Sequence, residues 1–143
     1  MKHKLVLFFV LMLCVASACS ASSGELTIEN AWARPALKGE NGAIYLVIKN
    51  HTSSPDALMS ASTDIASTAE AHMSMQNDQG VVSMQMQEAV QIPAGDDIAF
   101  EPGNLHIMLV DLNRDLKTGD VFILTLRFQS AGEIKLQVEV KEQ

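Results

Sequence analysis

The stretch that indicates the fold most clearly is GDVFILTLRFQSAGEIKLQVEVKE, residues 119–142. Apolar and polar residues alternate in both halves of this stretch. Because successive side chains of a β-strand point to opposite faces, the alternation predicts two strands that are each buried on one face. The small residues SAG, 130–132, separate the halves and are typical of a tight turn. The stretch therefore predicts a β-hairpin.

The rest of the chain shows the same kind of pattern. NGAIYLVIKN, residues 41–50, is an apolar run rich in β-forming residues, and a shorter strand is predicted near residues 57–61. The turn residues EPGN, 101–104, divide two further short strands. Only residues 112–120 are compatible with a single helical turn. Short strands at regular spacing, without a convincing helix, predict an all-β antiparallel sandwich or barrel.

The N-terminal residues have the features of a secretory signal peptide. Lys2 and Lys4 precede twelve apolar residues, 5–16, which are too few to span a bilayer as a helix. The residues ASA, 16–18, form an A-x-A cleavage site. We therefore expect residues 1–18 to be a signal peptide and the mature protein to be exported.

The first residue after that cleavage site is Cys19, which resembles the lipidated cysteine of a bacterial lipobox. Ala16 stands where a lipobox usually has Leu, so a lipidated Cys19 and a free thiol both stay open. Residues 19–25 are expected to form a short tether, and residues 26–141 to form a single domain. The expected location is the periplasm or the cell envelope.

Composition excludes several classes of protein. Cys14 lies within the signal peptide, so Cys19 is the only cysteine of the mature chain, which permits neither a disulfide framework nor a blue-copper centre with its thiolate. Removal of the signal peptide leaves eight basic against seventeen acidic residues. This balance disfavours nucleic acid and anionic lipid as partners, so membrane attachment is expected only through a lipid anchor.

Soft metal ligands are concentrated between residues 72 and 108, which hold five of the eight methionines and two of the four histidines. Met73 is followed after ten residues by Met84, and after twenty-one more by His106 and Met108. Thioether and imidazole groups without a thiolate suit reduced copper better than zinc, calcium or magnesium. The pattern predicts a Cu(I) site, whereas each methionine taken alone is more often a flexible core residue.

A hairpin would bring the first two of these methionines together. The residues NDQG, 77–80, have the composition of a four-residue loop between antiparallel strands. That loop would pair Met73 with Met84, with Cβ atoms roughly 4.5–5.5 Å apart, and would send His72 to the opposite face. A shift of one residue in register would reverse these assignments.

Three side chains are auxiliary candidates. In the predicted register Met75 and Met86 share the face of Met73 and Met84, and we expect them, with His72, to act as transient ligands during transfer. Thioethers stay usable in an oxidising compartment where paired thiols would form disulfides. The expected mechanism is therefore stepwise ligand exchange with an acceptor that offers thiolates.

Enzymatic chemistry has little support in the sequence, and we expect the protein not to be an enzyme. It has no G-x-S-x-G, phosphate-binding glycine loop, H-E-x-x-H or C-x-x-C motif. Glu70, Glu101 and Asp111 lie near the candidate ligands but have the spacing of ordinary surface carboxylates.

The sequence resembles the periplasmic copper chaperones of the PCuAC family. Their signature is His or Met, ten residues, Met, twenty-one residues, His, one residue and Met, which Met73, Met84, His106 and Met108 match. The likeness extends from about Leu26 to Val140 and includes AWARP, NGAIYLVIKN, IPAG, EPGNLHIMLVDLNRDLKTGD and LTLRF. Many relatives have His at the first position, where this chain has Met73, and the adjacent His72 leaves the first ligand open.

The resemblance implies a cupredoxin-like β-sandwich that binds mainly Cu(I), with Cu(II) as well. It also implies delivery of copper to the CuA centre in subunit II of cytochrome oxidase, often alongside a thioredoxin-like copper chaperone. Two other classes compete with this function. One is a copper-buffering lipoprotein of the envelope without a dedicated client, and the other is a structural β-sandwich whose methionines only pack.

Overall fold

The computed structural model describes residues 24–142, and in that part of the chain it contains ten β-strands and no helix, hence none able to cross a membrane. The all-β prediction is confirmed. In chain order the strands are β1 (Leu26–Ala33), β2 (Gly42–Asn50), β3 (Asp56–Ser62), β4 (Ala66–Gln76), β5 (Val82–Met86), β6 (Val90–Ile92), β7 (Asp97–Phe100), β8 (Leu105–Leu112), β9 (Val121–Phe128) and β10 (Glu133–Val140).

Seven of these strands close into a barrel in the order β4-β8-β2-β1-β10-β9-β3. The circuit is completed where β3 meets β4, at the pair Ala61 and Ala69. The three remaining strands are additions, with β5 on β4, β6 on β3 and β7 on β2. The antiparallel prediction holds for every pair in the described chain except β1 with β10, which is parallel.

The core fills the inside of the barrel with alternate side chains from each strand. In β9 the alternation predicted from the sequence is confirmed, since Phe122, Leu124, Leu126 and Phe128 are buried. In β8 the inward residues are Ile107 and Leu109, both fully buried. Burial of side chains of this size stabilises the fold by about 1.5–3 kcal/mol each. Since neighbours on a strand face opposite ways, His106 and Met108 lie on the outer surface of the barrel wall.

One local expectation is wrong, and others lie outside the described residues. Residues 113–120 form bends, a β-bridge at Leu116 and a turn rather than a helical turn. Backbone hydrogen bonds of 3.1 and 2.8 Å between Ala36 and Leu116 make this bridge and prevent a helical conformation there. The signal peptide and Cys19 are not among the described residues.

Candidate metal site

The hairpin between β4 and β5 forms as predicted, but its loop has five residues rather than four. The side-chain oxygen of Asn77 accepts hydrogen bonds from the N–H groups of Gln79 and Val81, at 3.0 and 2.9 Å. The N–H of Asn77 also donates to the carbonyl of Val81 at 3.0 Å. Gly80 has the positive φ, 79°, that such a closed loop needs and that glycine adopts without strain. Val81 therefore belongs to the loop, and strand pairing begins at Gln76 with Val82.

This difference of one residue changes which side chains face each other. Met84 lies opposite Ser74, and Met73 lies opposite Gln85, so the predicted pairing of Met73 with Met84 is wrong. His72 instead lies opposite Met86. Because opposed residues share a face, His72, Met84 and Met86 lie on one side of the sheet and Met73 on the other.

The same face continues across β8. His72 lies directly opposite His106, and the two imidazole rings are 6.1 Å apart between centroids, with their planes tilted by 38°. Met108 lies one pair-step further along β8, opposite Glu70. The outer surface of β4, β5 and β8 thus carries two histidines with methionines on both sides, and we call this surface the His/Met face. It comprises His72, Met84, Met86, His106 and Met108.

The ring of His106 is held by the turn that precedes β8. Its Nδ1 lies 3.0 Å from the carbonyl oxygen of Asn104, and since a carbonyl only accepts, Nδ1 carries the proton. The same carbonyl accepts the N–H of Ser74 at 3.2 Å and so ties the turn to β4. His106 is buried, with 5% of its surface exposed. In the neutral ring the free lone pair is at Nε2, the arrangement in which histidines bind metals.

The ring of His72 is held by a carboxylate. Its Nε2 lies 3.0 Å from Oε2 of Glu70, while Oε1 of Glu70 accepts the hydroxyl of Thr68 at 2.9 Å. The hydrogen bond from His72, with that from Thr68, holds the pKa of Glu70 below its usual range, although partial burial opposes the shift. The carboxylate therefore stays ionised and accepts the Nε2 proton, which leaves the lone pair of neutral His72 at Nδ1.

Nδ1 of His72 is a buried nitrogen with no hydrogen-bond partner among residues 24–142. Buried polar atoms without a partner are uncommon, and a metal ion is one of the partners that satisfy them.

Glu70 was not distinguished from surface carboxylates by the sequence. The signal that would have identified it is its spacing of two residues from His72, which places both on one face of a strand.

The methionines differ in their setting. Met84 and Met86 are 57% and 54% exposed on β5, an edge strand, whereas Met108 is half-buried within the barrel wall. Met75 shares the opposite face with Met73, so the predicted placement of Met75 beside Met84 is also wrong. In the described chain no three His, Cys, Asp or Glu side chains come together in a way that could hold a metal ion. A metal on the His/Met face would therefore depend on thioethers as well as imidazoles.

Comparisons with known proteins agree with this architecture. Residues 26–140 match the family described as "Putative lipoprotein LpqE-like". A protein of Rickettsia prowazekii, named "Uncharacterized protein RP573", is 33% identical over 114 residues, which cover 76% of this chain. The chain spans 62% of the length of that relative.

Two solved structures are similar to the chain over most of its length. The copper-bound PCuAC domain from PmoF2 has a TM-score of 0.70 and 24% identity, covering 85% of this chain and 97% of that domain. The solution structure of CuI-DR1885 from Deinococcus radiodurans has a TM-score of 0.67 and 24% identity, covering 90% of this chain and 86% of that protein. These likenesses confirm the cupredoxin-like fold.

Proposed function

Because the chain belongs to the LpqE-like lipoprotein family and has the fold of PCuAC domains, we propose that it is an extracytoplasmic copper chaperone. Of the two similar structures, the PCuAC domain from PmoF2 is copper-bound and DR1885 is in its Cu(I) form. In this chain the His/Met face is the surface on which copper is carried. Membership of a lipoprotein family supports an envelope location. Attachment through a lipidated Cys19 is therefore part of the proposal.

The proposed ligands are His72, Met84, His106 and Met108. Spacing alone points to Met73 as the first ligand, but Met73 faces away from the other three, whereas His72 lies opposite His106. The side chain opposite Met84 is the small Ser74, which leaves the long thioether free to lean toward the two rings. We therefore choose His72 over Met73.

The observation that carries the proposal is how the two imidazole rings are held. One nitrogen of each ring lies 3.0 Å from a protein oxygen, the carbonyl of Asn104 for His106 and the carboxylate of Glu70 for His72, and in the neutral ring the other nitrogen offers a lone pair to a metal. Outer hydrogen bonds of this kind orient histidine ligands and raise their basicity. Two imidazoles with two thioethers suit Cu(I), and the two nitrogen ligands also admit Cu(II) more readily than a site with three thioethers would.

Release of the metal is proposed to proceed from β5. This strand lies at the edge of the sheet and all five of its residues are exposed. An acceptor with thiolates can replace Met84 first and the more buried His106 and Met108 later, so copper is never free in solution. We propose the CuA centre of cytochrome oxidase subunit II, or a thioredoxin-like copper chaperone, as the acceptor.

The test is an anaerobic Cu(I) titration in competition with a chromophoric chelator. We expect one tight equivalent in the parent protein and its loss in a Met84→Leu/His106→Ala variant. Met75→Leu is the matched control, because Met75 is similarly exposed (47%) but lies on the opposite face. A second double variant, Met84→Leu/Met108→Leu, keeps side-chain volume and tests the site without removing a buried ring. Equal binding by all four proteins would refute the site.

The client is tested separately by mixing the copper-loaded protein with a soluble CuA domain. Appearance of the CuA absorption bands would support delivery. Tight binding without transfer to this domain or to a thioredoxin-like chaperone would instead support a copper-buffering lipoprotein.

A further inference from the structure

Beside the His/Met face the barrel is closed by a single residue pair, Ala61 with Ala69. Strand β4 pairs with β3 at only one position, Ala69, and with β5 only from His72 onward. A cleft of about 290 Å³ lies at this gap, between the end of β3 and the end of β5. Its lining is mostly small or apolar, but it includes two methionines, Met59 and Met86, and two acids, Glu70 and Glu88.

Met59 reaches this cleft because of an irregularity in β3. The pairing of β3 with β9 shifts between Leu58 and Ser60, so Met59 is the extra residue of a β-bulge. Bulges redirect a side chain and are frequent beside functional sites. Leu58 is buried at 2% exposure, whereas Met59 is 46% exposed, so its thioether is open to solvent at the cleft.

The cleft and the His/Met face share residues. Met86 lines the cleft and lies directly opposite His72, and it is 54% exposed. Glu70 also lines the cleft, and its carboxylate holds the ring of His72 at 3.0 Å. A cation in the cleft would therefore be one side chain away from a proposed ligand of the main site.

We propose that Met59 and Met86 form a second, weaker Cu(I) site in this cleft, through which copper passes to and from His72. The inference rests on the proposed function of the His/Met face and extends it. Two neutral thioethers bind a soft monovalent cation without a thiolate, and two thioethers without an imidazole bind it less tightly than the main site. The carboxylates of Glu70 and Glu88 add a negative field that favours a cation. Met86 then binds copper as the metal moves between the cleft and the main site at His72.

The experiment uses the exported protein labelled with ¹³C at the methionine methyl groups and titrated anaerobically with Cu(I). We expect the methyl signals of Met84 and Met108 to shift during the first equivalent, and those of Met59 and Met86 to shift together during the second. Met75, of similar exposure but on the opposite face, is the control and should not shift. A Met59 signal that moves no more than that of Met75 up to two equivalents would overturn the proposal.

Two variants separate this proposal from that of the main site. In a His72→Ala/His106→Ala variant we expect the first-equivalent shifts to be lost while Met59 and Met86 still respond to Cu(I). In Met59→Leu we expect the tight equivalent to remain, the second to be lost, and transfer to a chelator to slow. If Met84 and Met108 never respond but Met59 and Met86 do, the main site is wrong and the cleft site stands. If transfer from Met59→Leu is as fast as from the parent, copper does not pass through the cleft.

Discussion

The two faces of strand β4 carry side chains of different character. On the inner face, Ala69 and Ala71 lie opposite Leu109 and Ile107 and pack into the core. On the outer face, shifted by a single residue, Glu70, His72 and Ser74 form a polar row that continues across β8 and β5. The inner row stabilises the fold, and the outer row contains His72, the proposed metal ligand of this strand. The face on which each side chain of β4 lies depends on the pairing register, because a shift of one residue would move the inner row outward and the outer row inward.

Polar groups on the outer face are satisfied mainly by one another. Thr68 donates to Glu70, which accepts from His72, and the carbonyl of Asn104 accepts from His106. The buried Nδ1 of His72 is the exception. This contrast with the closed, apolar inner face is why we place the metal outside the barrel.

The largest expected effect comes from substituting His72, and its contrast is the substitution of Met73, the next residue, whose side chain lies on the other face of β4. His72→Ala should weaken Cu(I) binding by more than about 100-fold, since loss of an outer-shell partner alone typically costs 10–100-fold. Met73→Leu should leave the affinity unchanged, because its side chain points to the other face. Competition titrations of both variants decide between the two residues. A loss in Met73→Leu with none in His72→Ala would restore the register expected from the spacing.

A smaller effect is expected from the carboxylate behind His72. Glu70→Leu removes the acceptor of the Nε2 proton and should weaken Cu(I) binding by about 10-fold. Glu70→Gln retains a neutral acceptor, so its Cu(I) affinity should lie between those of Glu70→Leu and the parent. The ¹⁵N shifts of the His72 ring in the copper-free protein provide an independent measurement, because loss of the hydrogen bond to Glu70 should move the Nε2 resonance in Glu70→Leu. Unchanged ring shifts would show that Glu70 does not hold the His72 ring.

The smallest expected effect concerns the loop that sets the register. Asn77→Ala removes the acceptor of two backbone N–H groups and should destabilise the hairpin by about 1 kcal/mol. Amide hydrogen exchange in β5 should become about fivefold faster, because about 1 kcal/mol corresponds to about a fivefold change in the equilibrium constant for opening. Amides of β1, three strands away from β4 around the barrel, serve as the internal control. Equal acceleration in both strands would mean that the loop affects the whole fold rather than the hairpin.

Much of the fold was accessible to sequence reasoning because it depends on local patterns. Alternation identified β9 and β10, the turn EPGN separated β7 from β8, and the concentration of methionines marked the hairpin. The register of β4 with β5 was not accessible in the same way. The residues NDQG fit a four-residue loop, and nothing local reveals that the Asn77 side chain captures the N–H of Val81 and extends the loop by one residue.

By itself, the sequence determined that this is an all-β protein with candidate soft metal ligands on three strands, because side-chain alternation and ligand type are properties of residues and their neighbours. Only the tertiary structure decided which ligands share a face. That choice depends on how the loop at Asn77 closes and on where β8 meets β4, which places His106 against His72. It also decided that Met59 opens into the same cleft as Met86, because the bulge and the gap in the wall arise from strands far apart in the chain.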